Sequence, residues 1–256
     1  MPLTAHPKAH GFGAVLLRGL LAGLIAGLLS GAFAFTFGEP QIDAAIAIEE
    51  ASAPPAAPGA TADEPLVSRN GQKAGLILAT GLAGLALGLL FAVAYTVLRR
   101  RLRTPDDTRA ALGLALAALI GGVLVPWVKY PPSPPAVGDP NTITQRTISY
   151  LAIIVIGLVA VWASVVAFRS LRAGAPEWRR LLTGLGAFLL VVVIGYALLP
   201  NIDEVPGTFP ASLLWNFRIT SLGTSTILWT ALGLSFGALT ARSNQARPAG
   251  KTPATV

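Results

Sequence analysis

Six charge-free apolar runs, at residues 19–37, 74–98, 110–128, 147–168, 181–199 and 219–241, constrain this chain more than anything else in it. Each is long enough to cross a hydrocarbon core of about 30 Å as a helix. A spanning segment in lipid must satisfy its backbone polar groups internally, so the expected fold is all-α: a polytopic transmembrane helix bundle of six spans. The bulk numbers agree, with 53% hydrophobic residues, 12% charged residues and a mean hydropathy of +0.64. One integral membrane domain over residues 1–256 is expected, with an Ala/Pro-rich flexible linker at 51–65.

Charge sets the direction. If the N-terminus is cytoplasmic, the N-terminal arm, the loops RRRLRTPDDTR and RSLRAGAPEWRR, and the C-terminal tail hold 14 of the 19 Lys and Arg residues, for a net +11. The remaining loops hold Arg69, Lys73, Lys129, Arg146 and Arg218 with nine of the twelve carboxylates, for a net −4. This asymmetry predicts that both termini face inward. The net charge of +7 therefore reads as topology and contact with anionic lipid, and nucleic acid is not expected as a partner. Trp127, Tyr130, Tyr150 and Tyr196 fall near the expected outer interface, and Tyr95 and Trp178 near the inner one, as amphipathic rings prefer. A second reading of the first run stays open. Lys8 and Arg18 precede an apolar core, and Ala32-Phe33-Ala34 resembles a signal-peptide cleavage site, which would leave five spans.

Small residues predict how the spans meet. Gly19, Gly23, Gly27 and Gly31 recur every fourth position, a face on which a second backbone can approach closely. Gly84 and Gly88, and Gly113, Ala117 and Gly121, repeat the spacing. In the sixth run Gly223, Thr226, Thr230, Gly233 and Gly237 form one stripe that could pack against a neighbour or line a path for a solute.

Several chemistries are disfavoured. The chain has no cysteine, so thiolate metal sites, disulfides and cysteine nucleophiles are absent. No Asp, Glu, His or Lys lies mid-span, which argues against a self-contained proton-coupled antiporter. The GKT at Gly250–Thr252 lacks the upstream glycine of a phosphate loop. Both histidines, His6 and His10, lie in the N-terminal arm, so a hydrolytic triad within the membrane is not available. An enzyme is the least supported class, and no resident cofactor is expected.

Three polar segments converge on the expected outer side. In the first, Pro40 suits a helix start, and Glu39, Asp43 and Glu50 fall on one face of a short amphipathic helix lying on the bundle or lipid surface. The second, KYPPSPPAVGDP, is stiff and extended and carries Asp139. The third contains Asn201, Asp203 and Glu204. These seven side chains are hard oxygen donors able to gather a divalent cation at an outer vestibule. The competing reading is solvated charge, or structural pairing with Lys129 or Arg218.

The stretches LLRGLLAGLIAGLLSGAFAFTFGEPQIDAAIAIEEA, VPWVKYPPSPPAVGDPNTI and LLPNIDEVPGTFPASLLWNFRITSLGT resemble the cobalt transporter subunit CbtA family. The resemblance implies a multi-pass protein of the bacterial cytoplasmic membrane that takes up Co2+ in connection with cobalamin synthesis. It also implies a small single-span partner, CbtB, with histidines near its C-terminus. The family is often described with five spans, where six are counted here. A non-transporting scaffold, or a transporter of another divalent metal or a corrinoid, are the alternatives.

Overall fold

The computed structural model describes residues 11–52, 67–102, 104–135, 137–138, 140–172 and 174–245. His6, His10, Asp139, Gly250–Thr252 and all of the 51–65 linker except Ala51 and Ser52 lie outside them. The described residues form helices α1 (Phe12–Phe33), α2 (Glu39–Ser52), α3 (Arg69–Leu98), α4 (Asp107–Leu119), α5 (Val125–Lys129), α6 (Ile143–Ser170), α7 (Glu177–Leu198) and α8 (Ala211–Gln245). Six helical rods are long and apolar enough to span a membrane. Their outward faces carry exposed leucine, valine and isoleucine along their length, as on α7 at Leu181, Leu185, Leu189 and Val193. A continuous apolar surface of this kind is suited to lipid and not to water.

The first rod corrects an expectation. The segment from Glu39 is not a separate helix on the surface: α1 and α2 run on as one 41-residue helix, joined by a π turn at Ala34–Gly38. At about 1.5 Å per residue the rod is about 60 Å long, twice the hydrocarbon thickness, so α2 stands beyond the core. The reason lies in Pro40. A proline inside a helix lacks the N–H for the carbonyl four residues back and its ring crowds that carbonyl; the wider π turn just before it relieves both. The third rod repeats the device, with a π turn at Ile120–Leu124 joining α4 to α5 ahead of Pro126. The sixth helix also starts earlier than its charge-free run, at Ala211, because Arg218 interrupts the hydropathy without interrupting the backbone.

The core sits where α1, α3, α4 and α8 meet. Ala22 and Ala26, Phe91 and Ala92, Ala110 and Ala111, and Leu232 and Phe236 are buried together. Phe236 meets Phe91 and Tyr95 edge-on, with centroids 5.2 and 4.9 Å apart. Close backbone approach dominates the α1–α3 contact. A Cβ on Gly19, Gly23 or Gly27 would land on the carbonyl oxygen of Gly88, Gly84 or Thr80, and one on Gly31 would land on the Thr80 hydroxyl. Gly121 and Gly157 make a similar crossing between the second π turn and α6, and α7 packs on α6 through Gly184 and Gly195.

At the end that the charge asymmetry assigns to the cytoplasm, Asp107 accepts hydrogen bonds from the Tyr95 hydroxyl and the Arg99 Nε, each 2.8 Å. Burial opposes the Arg99 charge, but hydrogen bonding and charge from Asp107 and Tyr95 outweigh it and raise its pKa above the ordinary value. Asp106 caps α4 by accepting from the Thr108 amide at 2.8 Å.

Candidate functional site

The opposite end carries two separate charged centres. In the first, Glu39 is buried at 6% exposure, and its carboxylate accepts from Arg69 Nη2. Arg69 Nε also donates to Asp43 at 2.8 Å, and Lys73 Nζ donates to the other Asp43 oxygen at 2.7 Å. Two carboxylates and two cations thus neutralise one another across the α2–α3 junction. Arg69 and Lys73 lie in the first two turns of α3, which thus carry the cations that α2 requires. Glu50, further along α2, is exposed.

The second centre surrounds a cavity of about 500 Å³. Its wall comes from the segment after α5, the start of α6, the chain at 202–205 and the outer half of α8. Side-chain bonds to backbone carbonyls brace these pieces. Tyr196 donates to the Val125 carbonyl at 2.6 Å, Tyr130 to Pro200 at 2.7 Å, and Trp127 Nε1 to Arg218 at 3.2 Å. Lys129 donates to Asn201 Oδ1 at 2.6 Å and to the Tyr196 carbonyl at 3.1 Å. Gly138, at φ 131°, turns the proline-rich segment where a Cβ would collide with Arg146 and crowd Glu204.

Charges in the cavity are unequally engaged. Glu204 accepts from Thr142 and pairs with Arg146 at 3.2 Å. Asp203 is exposed and makes no hydrogen bond or ion pair among the described residues. Arg218 donates Nε to the Pro132 carbonyl at 3.3 Å and has no carboxylate partner among them. The cavity runs inward along α8 past Ser221 to Ser225, with Val123 of the second π turn in its wall. From Arg218 to Ser225 is about 10 Å of helix.

Six of the seven proposed oxygen donors lie among the described residues, and they are distributed; Asp139 lies outside them. Glu39 and Asp43 share the first centre, Asp203 and Glu204 line the cavity, Asn201 holds Lys129, and Glu50 stands apart. Among the described residues no three His, Asp or Glu side chains gather to hold a metal ion. Among the described residues the paired outer carboxylates, Glu39, Asp43 and Glu204, are matched by Arg69, Lys73 and Arg146 and not by Lys129 or Arg218, while Asp203 and Glu50 are exposed. Those three cations lie at helix starts that chain reversal brings back to the acids, whereas Lys129 and Arg218 are drawn to carbonyls.

The stripe on the sixth span divides between neighbours. Gly223 lies against Phe33, while Gly233 and Gly237 lie against Ala115 and Thr108 of α4. Thr226 donates to the Leu222 carbonyl at 2.8 Å, and Thr230 is exposed beside Leu116 and Trp229. Sequence reasoning passed over Ser221 and Ser225, although their spacing of four placed both on one face.

No curated protein and no solved structure shows significant similarity to the chain. A family model described as "probable cobalt transporter subunit (CbtA)" matches residues 12–241, from the first helix to the inner half of α8. With a match over most of its length and six helices able to span a membrane, the chain belongs to the CbtA family of probable cobalt transporter subunits.

Proposed function

We propose that this chain is the membrane subunit of a Co2+ uptake system in the bacterial cytoplasmic membrane, serving cobalamin synthesis. The observation that carries the reading is spatial: two of the three family-bearing stretches, residues 125–143 and 198–224, contribute walls of one outer cavity that continues inward along α8. Asp203 and Glu204 are the carboxylates an entering cation meets there, and Ser221 and Ser225 are the next oxygens along α8. Cobalt accepts imidazole as readily as carboxylate, and the described residues contain no histidine. A small single-span partner of the CbtB kind, bearing terminal histidines, supplies that ligand. Glu39 and Asp43 serve the fold in this scheme, since Arg69 and Lys73 already balance them.

Radiolabelled cobalt uptake into metal-starved cells tests the proposal. Expression of the chain with its partner raises uptake several-fold over a deletion strain, and Asp203→Ala removes most of the gain while the protein level is unchanged. Equal uptake with and without the chain sinks it.

A further inference from the structure

The cavity's chemistry suits something larger than a hydrated ion. Its volume of about 500 Å³ lies within the range of small-molecule sites, about 300–1,000 Å³. Six waters around a cation, at about 30 Å³ each, fill well under half of it. Trp127, Tyr130, Tyr150 and Pro131 contribute ring surface suited to an organic skeleton. Arg218 is harder still to reconcile with a bare dication. Arg218 lines the same cavity as Asp203, and no carboxylate among the described residues neutralises it.

A cavity lined by one carboxylate without a partner and one guanidinium without a carboxylate partner among the described residues is matched to a ligand with a cationic centre and a carboxylate of its own. We propose that the outer cavity binds the divalent metal as a chelate of a small organic carboxylic acid, and this rests on the uptake reading above. Asp203 takes a coordination position left open by the chelator. Arg218 receives a free carboxylate of the chelator through its terminal nitrogens, in the paired geometry guanidinium groups favour. The aromatic and proline surfaces cover the organic skeleton. This arrangement also removes the need for a full protein ligand set, since the chelator supplies most of the donors the cation requires.

The test is calorimetric titration of the purified full chain in lipid nanodiscs with Co2+ alone, citrate alone, Co2+–citrate and Mg2+–citrate. Co2+–citrate is expected to bind at least tenfold more tightly than Co2+ or citrate alone. Arg218→Ala weakens the chelate tenfold or more, Arg218→Lys weakens it less, and both leave the affinity for Co2+ alone unchanged. Co2+ alone binding as tightly as the chelate, or a folded Arg218→Ala protein that keeps the chelate affinity, overturns the proposal. If Arg218→Ala cannot be purified, the wild-type preference between chelate and free ion decides. Parallel cobalt uptake separates the two readings: uptake that depends on the chain without chelate binding overturns this inference alone, and uptake independent of the chain in either form overturns the transport reading.

Discussion

Arg69 at the start of α3 bonds the buried carboxylate of Glu39 at the start of α2, and through a second nitrogen also holds Asp43. Removing the cation leaves a buried acid without its partner, which costs more than removing both. Arg69→Ala is expected to lower stability by about 2–3 kcal/mol, and the double variant Glu39→Ala/Arg69→Ala by less than the sum of the single changes. Thermal unfolding of the four proteins in one detergent measures the coupling; strict additivity would show that the pair is energetically idle.

The α1–α3 contact predicts a sharp contrast between glycines. At Gly23 a Cβ meets the Gly84 carbonyl, whereas at Gly75, on the same partner helix, nothing lies within 4 Å. Gly23→Leu should prevent closure, with a loss of at least about 3 kcal/mol or of monodisperse protein. Gly75→Ala should stay within about 1 kcal/mol of wild type. Size-exclusion profiles after a heating series distinguish them.

Sidedness can be read directly, because the chain has no cysteine. Ser133→Cys and Ser170→Cys, both exposed, place single thiols at opposite ends of the bundle. A membrane-impermeant maleimide should label the first in intact cells and the second only after permeabilisation. The reverse pattern would invert the topology and put the large cavity on the cytoplasmic side.

The brace around the cavity is separable from its ligands. Tyr196→Phe removes the hydroxyl that donates to the Val125 carbonyl and should cost about 1 kcal/mol. Trp127→Phe removes the donor to Arg218 with a similar loss. Tyr196 does not line the cavity, so Tyr196→Phe should leave cobalt uptake unchanged at temperatures where the protein stays folded; a large loss of uptake with unchanged stability would assign this ring a direct part in transport.

The spans were legible because the free energy of burying backbone in lipid leaves a long, simple signal in the sequence. Helix ends were less so. Arg218 falls where a hydropathy criterion stops, while the helix around it continues to Ala211. Pro40 suggests a helix start because prolines favour first turns, yet the local physics admits a second answer, a π turn that carries the helix through. Ion pairing was the least accessible. Glu39 and Arg69 are thirty positions apart, and their meeting depends on the path of the chain between α2 and α3. The cavity's acids are visible in the sequence, but the sequence marks Arg218 only as a possible counter-ion, and its place in the same cavity wall as Asp203 depends on how α8 packs.

The π turn at Ala34–Gly38 also works as a phase corrector. Gly19, Gly23, Gly27, Gly31, Glu39 and Asp43 all belong to one series with a step of four. In an undisturbed helix each such step advances about 400°, so the series creeps about 40° around the axis each time. Between Gly31 and Glu39 an undisturbed helix would add about 80° more. One extra residue wound into the π turn takes back about 100°, and the glycine face and the acidic face meet the same partner, α3. A single inserted residue thus lets one rod meet its neighbour first by backbone contact and then by charge.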